Sequence, residues 1–283
     1  MKSSRTEVVY TPSSQIYHPK ALVKQMYDDL LESYNLGWQL LSRDIKAQYR
    51  ESFLGIFWAV VPAAVAAVGF ATAANSGIIN VGDTPIPYPA YVMLGTSLWQ
   101  TFVEACNGPQ QAIIAYKALL LQVKFPHEAI IWSKLGQILF SLFIKLFFVT
   151  ILFILFQVRV TWLVIFSPIP LLSLVLFGTA FGLFFVPILN LVQDITRTLQ
   201  FGILAWFLIT PVVYPAPTEG FLSIIVRLNP VTPLLATARE SLTTGQFSSL
   251  SAFWLISLFS LVALFFGWVV FRLSIPYIAE RIS

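Results

Sequence analysis

Two charged residues, Glu104 and Lys145, stand inside otherwise apolar stretches of this 283-residue chain. A charge at the centre of a hydrocarbon layer costs about 2.5–3.5 kcal/mol on insertion scales, so it calls for a partner, a cavity or a transport path. Counted inward from one side, the two differ in depth by about five residues, roughly 7–8 Å at 1.5 Å per residue. A lysine stem can lean that far. Either the two pair or share a polar cavity, or Glu104 sits at an interface while Lys145 snorkels alone. Other chemistry is sparse. His18 and His127 are too distant for a His-x-x-x-His ligand pair, and Asp28-Asp29 reads as a solvated charge pair. The single Cys106 has no partner in the chain for a disulfide or a thiolate zinc site. No Gly-x-x-x-x-Gly-Lys-Ser/Thr run occurs, so no P-loop cradles nucleotide phosphates. Neither a catalytic nor a cofactor-binding nor a metal set is assigned. ATP and its Mg, if they drive this protein, would be bound by another polypeptide.

The elements that carry these residues are written in the composition. Hydrophobic residues make up 57% and charged residues 11%, with a mean hydropathy of +0.79, against about 45–50% and 25% in soluble domains. Six apolar stretches, near 53–74, 88–106, 135–156, 162–189, 199–214 and 251–271, approach the ~20 residues that cross a bilayer. The expectation is an all-α integral membrane protein with six transmembrane helices in one membrane domain, 36–283. Residues 1–35 form a polar N-terminal arm without an apolar signal segment, which places that terminus in the cytoplasm. Between Leu36 and Ser52, Trp38, Leu41, Ile45 and Tyr49 recur at helical spacing while Arg43, Lys46 and Arg50 take another face. Such a helix suits a membrane surface, or packs on protein. The stretch 216–250 mixes Pro217, Pro230 and Pro233 with short apolar pieces, which fits two half-inserted, re-entrant helices before the last span.

Thirteen of the 17 Lys and Arg residues fall in the connections on one side, against Arg159, Arg227 and Arg239 on the other. Positive charge collects on the cytoplasmic side, so both termini are expected there. Trp58, Trp132, Trp162 and Trp254 lie near span ends, as interfacial anchors do. Deeper aromatics, Trp99, Phe102, Phe201 and Trp206, could stack on sugar rings or simply pack. The sparse charges of the out-facing connections argue against a membrane enzyme.

Several short motifs carry a resemblance. Leu41-Ser42-Arg43-Asp44-Ile45-Lys46-Ala47-Gln48-Tyr49-Arg50 leads into Leu54-Gly55-Ile56-Phe57-Trp58-Ala59 and Pro62; Pro87-Tyr88-Pro89 is followed by Leu94-Gly95 and Trp99. Val123-Lys124-Phe125-Pro126-His127-Glu128, Gln193-Asp194-Ile195-Thr196-Arg197, Thr210-Pro211-Val212-Val213-Tyr214-Pro215 and Leu228-Asn229-Pro230-Val231-Thr232 follow in order. Together they resemble the permease subunit of type-2 ABC exporters, in the branch that exports O-antigen, capsule or teichoic acid. His127 and Gln193 stand where that family usually or often has Arg.

The resemblance implies an interface helix carrying Trp38, Arg43, Asp44, Lys46 and Arg50. It implies a coupling segment, with Lys117, Lys124, Phe125, Pro126, His127 and Glu128 meeting an ATPase subunit. It also implies gate helices within 216–250. Phe57, Trp99, Phe102, Phe201, Trp206 and Tyr214 become candidates to line the channel. The implied assembly is a homodimer of permease chains with two ATPase copies in a bacterial inner membrane. Its partners would be membrane lipids and a lipid-linked polysaccharide, with no nucleic acid. A small lipid or drug exporter of the same superfamily is the alternative, ahead of a glycan- or lipid-modifying membrane enzyme.

Overall fold

A computed structural model describes residues 19–50, 55–79, 82–122, 125–191 and 193–282, whose regular structure is all helical, with no strand among them. The helices are α1 Pro19–Arg50, α2 Val61–Asn75, α3 Tyr88–Ala115, α4 Lys117–Gln122 and α5 Glu128–Leu155. They continue as α6 Pro168–Leu191, α7 Gln193–Ile209, α8 Gly220–Leu228, α9 Val231–Leu242 and α10 Leu250–Ile282. Short 3-10 turns at Gly55–Ala59 and Trp162–Phe166 precede α2 and α6.

By length and apolarity, α5, the Trp162–Asn190 segment and α10 can each cross a membrane, and the α8–α9 pair, bent by 87°, would add a fourth. The other expected spans fall on helices of different character. The first is reduced to α2, 15 residues long, behind a 3-10 turn. The fifth lies on α7, 17 residues that begin with polar Gln193 and Asp194. The second lies on α3, which is buried along almost its whole length and carries Thr, Ser, Gln and Glu.

Helix α3 is the centre of the bundle. It packs on α2, α5 and α6, while α6 packs in turn on α10 and α1 lies along α5. Gly178 and Gly182 let α6 approach α3 backbone to backbone. A Cβ at Gly178 would stand 2.9 Å from the Phe102 carbonyl oxygen, and one at Gly182 would strike the Cys106 carbonyl. A larger apolar core joins α2, α3, α5, α6, α7 and α9, and a second one joins α1, α3, α5, α6 and α10 near the α1 end.

Three boundaries differ from the sequence reading. Asn107-Gly108-Pro109 reads as the end of a helix, yet α3 continues to Ala115 through Pro109. A proline removes one ladder bond, and the Pro109 ring is seated against Gly182 of α6 where the helix continues past it. The last span reads as ending at Arg272, whereas α10 runs on through Pro276 to Ile282, with Ile275 and Ile278 buried in the second core. The polar arm and the interface helix merge: α1 is one helix across residues 35 and 36. Leu22, Met26, Ser33 and Leu40 are buried on its inner face, while Val23, Tyr27, Leu31, Tyr34 and Trp38 stay exposed. Pro126 does separate α4 from α5.

Candidate functional site

Polar side chains gather at three levels along the bundle axis. At the α1 end, helices distant in sequence are stitched by charge. Arg272 of α10 donates from Nη1 to Glu128 Oε1 at 2.9 Å and pairs through Nη2 with Asp29 of α1, a contact across 243 residues of chain. Trp268 Nε1 adds a bond to Glu128 Oε1 at 3.2 Å. Asp28-Asp29 is therefore not simply solvated, because Asp29 holds Arg272. Asp44 is the second hub. It accepts from the Tyr116 hydroxyl, from Gln137 Nε2 at 2.8 Å and from Arg43 Nη2 at 2.9 Å. Burial, reinforced by the bond to Asp44, raises the Tyr116 phenol to about 12, so it stays a donor.

The residues of the coupling segment and interface helix divide between inside and outside at this end. Glu128 is buried and Phe125, Pro126 and His127 are half-buried, with the Phe125 and His127 rings 5.6 Å apart. Burial lowers the His127 pKa below its ordinary value; Arg272 adds to this and Asp29 opposes it. Lys117, Trp38, Arg43 and Lys46 are exposed. Lys124 and the Arg50 side chain lie outside the described residues.

At mid-depth, Lys145 of α5 and Glu104 of α3 come together. Lys145 Nζ lies 2.6 Å from Glu104 Oε1 and 3.4 Å from Thr101 Oγ1. The lysine has no exposed surface, whereas the glutamate side chain is 38% exposed. Its free edge faces a groove of about 570 Å³ between the first 3-10 turn, α2, α3 and α7. Of the aromatic channel candidates, Trp99 borders this groove, and Phe57 and Phe201 face outward. Phe102 has no exposed surface; its ring stands 5.4 Å from Trp206 and 6.0 Å from Phe177 within the core. Trp206 is half-buried and Tyr214 bonds the Leu208 carbonyl at 3.0 Å.

At the opposite end, Arg239 of α9 is buried, not a surface charge of a connection as its count among the out-facing residues assumes. It donates to the Tyr91 hydroxyl, to the Pro211 carbonyl at 3.2 Å and to the Val212 carbonyl at 2.7 Å. Tyr88 bonds the Val213 carbonyl at 3.0 Å and Tyr91 the Tyr214 carbonyl at 3.1 Å. Asn229, in the bend between α8 and α9, accepts from Trp206 Nε1 at 2.9 Å and from the Val231 amide at 3.1 Å, and donates to Thr210 at 2.8 Å. The carbonyls of residues 211–214, in the non-helical stretch between α7 and α8, are capped by side chains from α3 and α9, so this end is locked by backbone contacts.

The arrangement holds a partly polar groove at mid-depth, a charge-linked end and a locked end. Comparison with known proteins bears on what that assembly is for. The ABC-2 type transporter family matches residues 35–243. The chain is 26% identical over 223 residues to the O-antigen export system permease protein RfbA of Myxococcus xanthus, covering 76% of this chain and 82% of that protein. It is 24% identical over 225 residues to the protein of the same name from Klebsiella pneumoniae, covering 75% and 84%.

Proposed function

Because the chain belongs to the ABC-2 type transporter family and so is a membrane permease, we propose that it exports a lipid-linked polysaccharide of the O-antigen type across a bacterial inner membrane. The observation that carries this reading is the likeness to O-antigen export permeases over more than four-fifths of their length. Six spans fit the fold, on α2 with its preceding turn, α3, α5, α6, α7 and α10, with α8–α9 as the re-entrant gate. The Lys and Arg bias sets the α1 end, and both termini, in the cytoplasm. Two permease chains would enclose the path, each served by one ATPase subunit.

In this reading the chain supplies a passage and a gate, and the driving chemistry belongs to the ATPase. Movement of the ATPase displaces α4 and the Phe125–Glu128 turn. Glu128 is the point at which that displacement enters the bundle, because it holds Arg272 of α10, and Arg272 holds Asp29 of α1. Coupling is thus shared by three helices.

The test is ATP hydrolysis by the permease–ATPase complex in liposomes, with and without lipid-linked glycan. Stimulation by glycan, lost when Phe125 and Glu128 are replaced while the complex still assembles, is the expected result. A stable complex indifferent to glycan points instead to a small lipid or drug as cargo. Failure to assemble with any ATPase would sink the exporter reading.

A further inference from the structure

The mid-depth groove has a chemistry that its helix packing does not explain. Gln100, Glu104 and Asn107 follow one another at spacings of four and three along one face of α3, and Gln200 of α7 lies across from them. Gln100, Asn107 and Gln200 line the groove without a side-chain hydrogen bond to any described residue. Gln100 and Asn107 are half-buried and Gln200 is exposed, so their amides stay open to a ligand, and the rest of the wall is apolar, with the rings of Trp58, Trp99 and Phe207 among it. Three such amides together fit a ligand that offers donors and acceptors in quantity.

The ion pair narrows the class. Lys145 stands behind Glu104 with no exposed surface, so it cannot touch a ligand. What it does is hold one carboxylate oxygen and compensate the charge, leaving the other oxygen free to accept. The groove therefore presents one carboxylate acceptor, three amides and aromatic faces, with no cation among the described residues of its wall. A phosphate or diphosphate would find no cation to pair with among the described wall residues. An uncharged ring bearing several hydroxyls, with an apolar face to lie on an indole, is matched at each of these groups, and about 570 Å³ is within the range of small-ligand clefts.

We propose that this groove is a contact site for an uncharged sugar unit of the transported glycan, with Gln100, Glu104, Asn107 and Gln200 bonding its hydroxyls and Trp58, Trp99 and Phe207 its faces. Lys145 is a positioning residue that fixes the Glu104 carboxylate. The inference rests on the export reading above and adds the part of the cargo that touches this wall. Its lipid-phosphate portion is held elsewhere.

The test is saturation-transfer NMR on the full-length permease with its ATPase in nanodiscs, with maltoheptaose, chitopentaose and mannopentaose as separate probes. Transfer to the ring protons of at least one probe is expected. Gln100→Leu with Asn107→Leu should weaken it about threefold to tenfold, as the loss of one or two hydrogen bonds predicts. Gln200→Leu, at an exposed position, covers the case in which the double variant does not assemble, and should weaken transfer about threefold. Replacing both charges, Glu104→Leu with Lys145→Met, should weaken transfer likewise. Transfer from none of the three sugars, or equal transfer in the wild type and every variant, overturns the inference. ATP hydrolysis in the same nanodiscs decides the export reading separately: a coupled complex whose groove ignores sugar sinks this proposal alone.

Discussion

The two ends of the bundle solve the same problem with different bonds. Each must join helices far apart in sequence. At the α1 end the joints run from side chain to side chain, with Arg272 between Glu128 and Asp29 and Asp44 beneath Tyr116 and Gln137. At the opposite end, Arg239, Tyr88 and Tyr91 grip main-chain carbonyls at Pro211–Tyr214. A joint between two flexible side chains can follow a moving helix. One that ends on backbone fixes the path of the chain itself. On the coupling proposed above, the first end can receive displacement while the second holds a bend.

Breaking the stiff end should cost most. Arg239→Ala strips the Pro211 and Val212 carbonyls of their donor and removes the cation from the Tyr91 ring, 4.0 Å away. Bonds to a charged group contribute about 1.5–3 kcal/mol each and buried orphans add to that, so a loss of about 4 kcal/mol is expected. Thermal unfolding in detergent, followed by size-exclusion chromatography, should show it as a collapse of the monodisperse peak. Arg272→Met comes next. It leaves Glu128 buried without its cation, about 3 kcal/mol for a pair this enclosed. Adding Glu128→Leu should recover much of that stability without restoring ATP-coupled export. A double variant that regains both would show the charges to be a mere staple, and the contrast between the ends would fail.

His127 sharpens the same comparison through pH. Its folded pKa lies below the ordinary value of about 6.5 because it is buried, so the unfolded chain takes up the proton first. Stability should be level above about pH 6.5 and fall as the pH drops below it. Melting curves between pH 7.5 and 5.5 would read this, and His127→Gln should flatten the acid limb. The smallest effect belongs to the surface. Arg43 is 62% exposed beside Asp44, and solvent screening leaves such a pair about 0.5 kcal/mol or less. Arg43→Ala should therefore scarcely move the melting temperature, whereas Asp44→Ala, which unseats Tyr116 and Gln137, should do so clearly.

The parts legible in the sequence are those where one residue violates its surroundings. Glu104 and Lys145 stand out because a charge in an apolar run is costly, and depth counting brings them near one another without any structure. The break at Pro126 and the bend in 216–250 are announced by prolines that cannot donate to a ladder. Asp29 and Arg272 give no such signal. Asp29 sits in polar company, Arg272 reads only as the charge that closes an apolar run, and nothing periodic links positions 243 residues apart. Arg239 looks like a loop charge until the carbonyls around Pro211 are seen to need a donor. The full length of α10 is hidden by Pro276, which reads as a stop; tertiary packing of Ile275 and Ile278 overrides it.

The glycines of α6 divide the molecule into helices joined along their backbones and one joined by side chains alone. With no Cβ at Gly178 and Gly182, α6 and α3 touch along their backbones, and neither can slide without a clash. Helix α10 lies along α6, α5 lies along α3 and α1 along α5, so these helices form one packed block. Helix α7 has no such seam. It meets the block through the Trp206 and Phe207 rings against Trp99, Phe102 and Phe181, contacts that can roll past one another. The wall that faces the groove is thus shared between that block, the first 3-10 turn with α2, and α7, whose ring contacts are the part of the wall without a backbone seam.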